Sequence, residues 1–162
     1  MAAEVPEAVR TCKALIAWGN ALSAIGATSL ADMKAAPNLA ARRAVAVEVV
    51  QGALTSTNAL LGSIGSISRS DGGVRAVVTV EDAITREFER VRARLLAMLP
   101  QAEKLPIDSE ADFDAAKARL ASGLQSAGGG GVTMADLGAG GPFGASFIAT
   151  LAAEPTCFGV FA

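Results

Sequence analysis

The sequence predicts an all-α protein, a bundle of about four amphipathic helices followed by a Gly-rich, irregular C-terminal arm. Apolar residues recur at spacings of three and four in several stretches between residues 4 and 125. Hydrophobic residues make up 51% of the chain but aromatic ones only 4%, which favours closely packed, Ala-rich helices. A glycine run then ends the helical pattern. We therefore divide the 162 residues into a helical bundle domain, 1–127, and a Gly-rich, Phe-bearing C-terminal arm, 128–162.

The first helix is expected over residues 4–25. Leu15 and Trp18 belong to its apolar stripe, since they recur at helical spacing with two later apolar residues. Gly26 is expected to end this helix, because glycine is the commonest residue just past a helix C-terminus.

Two further helices are expected before the middle of the chain. Ser29 can cap a short helix that Pro37 closes, and Asn38 can cap a long helix over residues 39–64. The long helix repeats its apolar residues at three and four for nearly three heptads, with Thr57 as a polar step in the seam.

Residues 66–79 interrupt the helical pattern. Asp71, Gly72 and Gly73 form a turn signal between two β-prone stretches. A short β-hairpin and a plain loop both produce this pattern, so both remain open.

The last two helices are expected over residues 80–99 and 110–125. Thr79 can cap the first and Pro100 can stop it, while Ser109 can cap the second. The first of these helices has the clearest apolar stripe, formed by Ile84, Phe88, Val91, Leu95 and Met98.

The composition of the chain argues against most kinds of catalytic site. The chain has no His and no Tyr, so the commonest general base, zinc ligand and nucleophile partner are missing. Alternating carboxylates between Asp108 and Asp114 resemble a calcium loop, but its sixth and twelfth positions hold Phe113 and Arg119 instead of Gly and Glu. The glycine runs lack the lysine and the preceding strand of a phosphate-binding loop. We expect no enzyme, no cofactor and no metal site.

The two cysteines, Cys12 and Cys157, form no CxxC motif and are expected as small buried thiols in a reducing compartment. The N-terminus lacks the basic region of a secretory signal, and the apolar C-terminal stretch is interrupted by Glu154 and Pro155. These features predict a protein that is cytoplasmic when made and not bound to a membrane.

Arginine clusters are the candidate sites for nucleic acid or for acidic side chains of a partner. Arg86, Arg90 and Arg94 form a stripe roughly opposite the apolar face of their helix, and Arg42 and Arg43 form a second basic spot. The alternative is a solvated face on which neighbouring carboxylates pair locally with these arginines. The net charge of −2 does not favour a general nucleic-acid binder.

The arm carries candidate subunit or partner contacts. Ordering such a Gly-rich segment costs much conformational entropy. The segment nevertheless bears apolar rings with hardly any charge around them. The rings must therefore pack on the chain's own bundle or on a neighbour. They are Phe143, Phe147, Phe158 and Phe161.

These features predict a non-enzymatic structural protein, a self-assembling helical subunit such as a virion coat protein or a phage structural component. Its expected partner is copies of itself, with RNA or DNA backbone as a second partner and with no small-molecule substrate. The alternative is a small cytoplasmic adaptor or regulator that binds a protein through its bundle groove or its arm. The outline is similar to that of the coat proteins of rod-shaped viruses, and this resemblance implies that the arginines contact phosphates and that the chain is incorporated in a virion.

Overall fold

The computed structural model describes residues 4–70 and 75–129, and it describes side chains for residues 9–66, 82 and 84–124. The predicted arm beyond residue 129, including its four phenylalanines, lies outside these ranges.

Four α-helices make up nearly all of the described chain. They are α1 (Glu4–Ala35), α2 (Leu39–Ser70), α3 (Arg75–Glu103) and α4 (Glu110–Gly129), and no strand occurs within these parts of the chain. The prediction of an all-α protein with about four helices is confirmed. The boundary between bundle and arm at residues 127 and 128 stays a prediction.

Helix α1 is a single helix where the sequence predicted two. It continues through Gly26 to Ala35 without a break. A glycine inside a helix costs only about 1 kcal/mol relative to alanine, so the intact hydrogen-bond ladder outweighs it. Ser29 does not cap a new helix; its Oγ donates back to the carbonyl of Gly26 at 2.9 Å.

The start of α2 is confirmed. Asn38 is its N-cap, because the Asn38 Oδ1 accepts a hydrogen bond of 2.8 Å from the backbone N–H of Ala41. Thr57, the polar step, is fully buried, and its hydroxyl donates to the carbonyl of Ala53 at 2.8 Å. A threonine can lie in this seam because the backbone of its own helix satisfies its donor.

The predicted interruption at residues 66–79 is mostly helical. Helix α2 extends to Ser70 and α3 begins at Arg75, so the stretches proposed as hairpin strands form helix ends. Residues 71–74, which hold the turn signal, lie outside the described chain. The β-branched residues after the turn signal lie at the start of α3 and not in a strand. Their β-propensity does not prevent this, because β-propensity depends strongly on context.

Both ends of α3 differ from the prediction. The helix begins before Thr79, which is therefore an interior residue and not a cap. It also continues past Pro100 to Glu103, although proline lacks the N–H that an interior position donates. The carbonyl of Pro100 still accepts a hydrogen bond from Lys104 N–H at 3.1 Å, so the last turn closes.

Helix α4 begins where the sequence predicted. The Ser109 Oγ accepts a hydrogen bond from Asp112 N–H at 3.4 Å, as expected of an N-cap. Glu110 and Asp112 lie in the first turn, where the helix dipole favours negative charge. The position of these two carboxylates at the start of α4 is therefore favourable.

The described helices divide into two compact units. The first takes in α1 up to Gly19 and the stretch Asn58–Arg90. The second takes in Asn20–Thr57 and the chain from Val91 through α4.

An aromatic pair lies in the core of the first unit. The rings of Trp18 and Phe88 meet edge to face, with centroids 4.8 Å apart and planes at 80°. Ile64 and Ile84 are almost completely buried in the same unit.

The second unit packs its helices around an apolar core. Phe113 and Val50 are completely buried in it. The helices lie close together at Gly52, where a Cβ would lie 3.0 Å from the Cδ1 of Ile25. Small residues therefore set how near α1 and α2 approach within this unit.

All five apolar residues predicted for the stripe of α3 are buried, namely Ile84, Phe88, Val91, Leu95 and Met98.

Candidate assembly surfaces

Helix α1 has a long face that the described structure leaves uncovered. Within Val9–Ala35, only 6% of an apolar 18-residue window is buried, and Leu30 is 64% exposed. Residues 14–31 contain no Asp, Glu, Lys or Arg. An uncharged helix surface of this length is unusual, because solvated helix faces normally carry charged side chains.

The uncovered face has a regular spacing. Asn20, Ala24, Ala27 and Ala31 are all exposed, and they follow one another at intervals of four, three and four residues. This spacing places them on one side of the helix, as in the seam of a coiled coil. Alanine side chains at a seam permit a close approach of another helix. We call these four residues the α1 face.

A groove of about 280 Å³ lies between α1 and α2 within the second unit. Its apolar lining residues include Ile25, Val45 and Val49, and its polar lining includes Asp32 and Glu48. We call it the acidic groove. Ala24 lines it as well, so the acidic groove is continuous with the α1 face.

The two carboxylates of the acidic groove are solvent-accessible. Asp32 and Glu48 are both exposed, and neither forms an ion pair with any residue that the structure describes. The nearby Ser29 hydroxyl is already used, because it donates to a carbonyl of its own helix. The groove therefore presents hydrogen-bond acceptors and negative charge beside an apolar lining.

The arginine stripe of α3 is exposed along its length. Arg86, Arg90 and Arg94 are all exposed at four-residue intervals. Arg90 donates to Glu87 at 3.0 Å, and the Arg90 side chain is 70% exposed, so water and salt weaken this pair. The Nε of Arg86 donates to the carbonyl of Asp82 at 3.3 Å, not to its carboxylate. Arg86 and Arg90 thus make their contacts within their own helix.

Arg42 is in a different environment from the stripe. Its side chain is 30% exposed and pairs with Glu110 at 3.1 Å, which ties the start of α2 to the start of α4 within the second unit. Its Nε is buried and has no hydrogen-bond partner among the described residues. Arg43 is half-buried beside it. The structure therefore gives Arg42 a packing role that the sequence did not predict.

Cys12 is buried, as predicted, but it is not a free thiol. It is disulfide-bonded, and the chain has one other cysteine, Cys157, which lies outside the described ranges. A disulfide is typical of oxidising compartments, whereas the sequence analysis expected thiols in a reducing one. Cys12 belongs to no CxxC motif, so the sequence carries no local signal of its bond.

The four phenylalanines of the arm lie outside the described residues, so their role stays a prediction. No group of His, Cys, Asp or Glu residues within the described ranges could hold a metal ion. Neither the α1 face nor the acidic groove is among the sequence-based predictions. The uncharged run at residues 14–31 was the available signal for the first.

Two helical stretches are long and apolar enough to cross a membrane by length and composition. They are Val9–Ala35 and Leu39–Ser66, with mean hydropathies of 1.3 and 1.2. Core helices of soluble proteins and signal sequences meet the same criterion.

Comparison of the chain with protein-family models, with curated proteins and with solved structures found no match.

Proposed function

We propose that the protein is a non-enzymatic structural subunit that assembles with copies of itself. The observation that carries this proposal is the low burial of α1: within Val9–Ala35, only 6% of an apolar 18-residue window is buried. Exposed apolar surface of this extent favours association, because covering it removes apolar area from water at about 25 cal/mol per Å². Subunits of virion or phage coats are one class of protein that uses such surfaces.

The composition of the α1 face supports a helix as its partner. Three alanines and one asparagine offer little side-chain volume, so a second helix can approach closely. A polar residue such as Asn20 at one seam position favours a single register. The absence of His and Tyr from the whole sequence supports a non-enzymatic role.

Light scattering on a size-exclusion column tests the proposal. The wild-type protein should elute with a mass several times that of one chain. Ala27→Arg should shift it toward the monomer, because a long charged side chain blocks the close approach. Ala118→Arg on α4 is the matched control, since Ala118 is exposed and lies outside the α1 face. It should leave the assembled mass unchanged.

Two other results would reject the proposal. A monomer at every concentration that forms a stoichiometric complex with a different protein would favour the adaptor, which the acidic groove could serve. Recovery of the protein with membranes, released only by detergent, would identify Val9–Ala35 and Leu39–Ser66 as membrane spans. An excess of absorbance at 260 nm in the assembled fraction would add nucleic acid as a partner.

A further inference from the structure

The acidic groove and the arginine stripe are complementary surfaces on the same chain. The groove presents Asp32 and Glu48, which are exposed and without ion pairs in the described structure. The stripe presents exposed guanidinium groups on one side of α3. Successive arginines of the stripe are about 6 Å apart along the helix axis, at 1.5 Å per residue.

The groove also suits the uncharged part of an arginine. Ile25, Val45 and Val49 line it, and an arginine buries its methylene stem along apolar surface while its head reaches a carboxylate. Its volume of about 280 Å³ is below that of most small-molecule pockets, which start near 300 Å³. One or two side chains are therefore a better fit than an extended ligand.

We propose that the arginine stripe of one copy docks into the acidic groove of a second copy. This inference rests on the proposed function, since it names the surfaces through which the chain self-assembles. Phosphate would be repelled by the two carboxylates, so nucleic acid is not the occupant of the groove. The α1 face adjoins the groove through Ala24 and extends the contact.

Such an interface is heterologous, because the two patches are different surfaces of the chain. A heterologous contact leaves one free groove and one free stripe at the ends of any dimer. Assembly then continues until it closes into a ring or grows as a filament. The inference therefore predicts assemblies larger than a two-fold dimer.

Paired variants test this geometry by light scattering. The groove variant carries Asp32→Lys and Glu48→Lys, and the stripe variant carries Arg86→Gln and Arg90→Gln. Each alone should be monomeric. An equimolar mixture should form a heterodimer and nothing larger, because only one intact stripe and one intact groove remain to meet.

Two controls separate charge from folding. Glu103→Lys with Asp108→Lys changes the net charge equally at exposed residues outside the groove, and it should assemble as the wild type does. A swapped variant with Asp32→Lys, Glu48→Lys, Arg86→Glu and Arg90→Glu should regain assembly. Circular dichroism should give the same helix content for all variants.

The outcomes distinguish the inference from the proposed function. If the wild type assembles and the groove variant assembles equally well, the inference is wrong and self-assembly stands. If the wild type is monomeric, the proposed function itself fails. If the stripe variant loses bound nucleic acid but keeps its assembled mass, the stripe contacts nucleic acid and the inference is overturned.

Discussion

Trp18 and Phe88 meet edge to face in the first unit, with their ring centroids 4.8 Å apart. Trp18 is the one tryptophan of the chain, and the chain has no tyrosine. The intrinsic fluorescence of the protein therefore reports directly on this contact between α1 and α3.

Phe88→Leu should lower the free energy of unfolding by about 1–2 kcal/mol, because it removes apolar area and an aromatic pair. It should also shift the fluorescence emission of Trp18, because the indole loses its contact with the Phe88 ring. Chemical denaturation followed by fluorescence measures both effects. Leu96→Ala on the same helix is the control, because Leu96 is 47% exposed and should cost far less. Equal costs for the two variants would contradict the burial of Phe88.

Two glycines of α2 should respond differently to alanine. At Gly62 a Cβ would meet nothing within 4 Å, so Gly62→Ala should raise the free energy of unfolding by about 0.5–1 kcal/mol through helix propensity. At Gly52 the new Cβ would lie 3.0 Å from the Cδ1 of Ile25, so displacement of that side chain should offset the gain. Urea denaturation of both variants measures the difference. Equal gains would show that α1 and α2 are not in close contact at Gly52.

The ion pair between Arg42 and Glu110 should contribute at most about 1 kcal/mol, because the Glu110 side chain is 70% exposed. A double-mutant cycle with Arg42→Met and Glu110→Gln measures the coupling free energy. The coupling should fall as salt is added, since an exposed pair is screened. If Arg42→Met instead abolished nucleic-acid binding without changing stability, Arg42 would be a phosphate contact, as the sequence analysis predicted.

Reduction should destabilise the protein, because Cys12 is disulfide-bonded. Removing a native disulfide typically costs about 2–5 kcal/mol, so a reducing agent should lower the melting temperature. Cys12→Ser should melt at the lower temperature and should not respond to the reducing agent. A wild-type melting temperature that is the same with and without reductant would show that the bond does not form.

The apolar periodicity of α3 allowed its buried face to be predicted completely. Its five stripe residues lie at strict helical spacing opposite a charged side, and all five are buried. The caps at Asn38 and Ser109 were also predictable, because their polar side chains have a defined role at a helix start.

Helix boundaries inside the chain were less predictable. Gly26 and Pro100 each predict a helix end, but both residues lie within helices. The free-energy cost of each residue in a helix is small or confined to one turn. The hydrogen bonds and packing of the neighbouring turns outweigh it. The α1 face could not be recognised as uncovered, because periodicity indicates that a helix has an apolar side but not whether another helix covers it. The acidic groove is formed by residues of both α1 and α2. Contacts between two helices cannot be read from the apolar pattern of either one.

Self-assembly is the central claim, and sedimentation velocity of the wild-type protein over a wide range of concentrations tests it most directly. We expect the population to move from single chains to large species as concentration rises, by mass action. Larger species should accumulate beyond the dimer, because the proposed contact is heterologous. A single species with the mass of one chain at every concentration would contradict the claim.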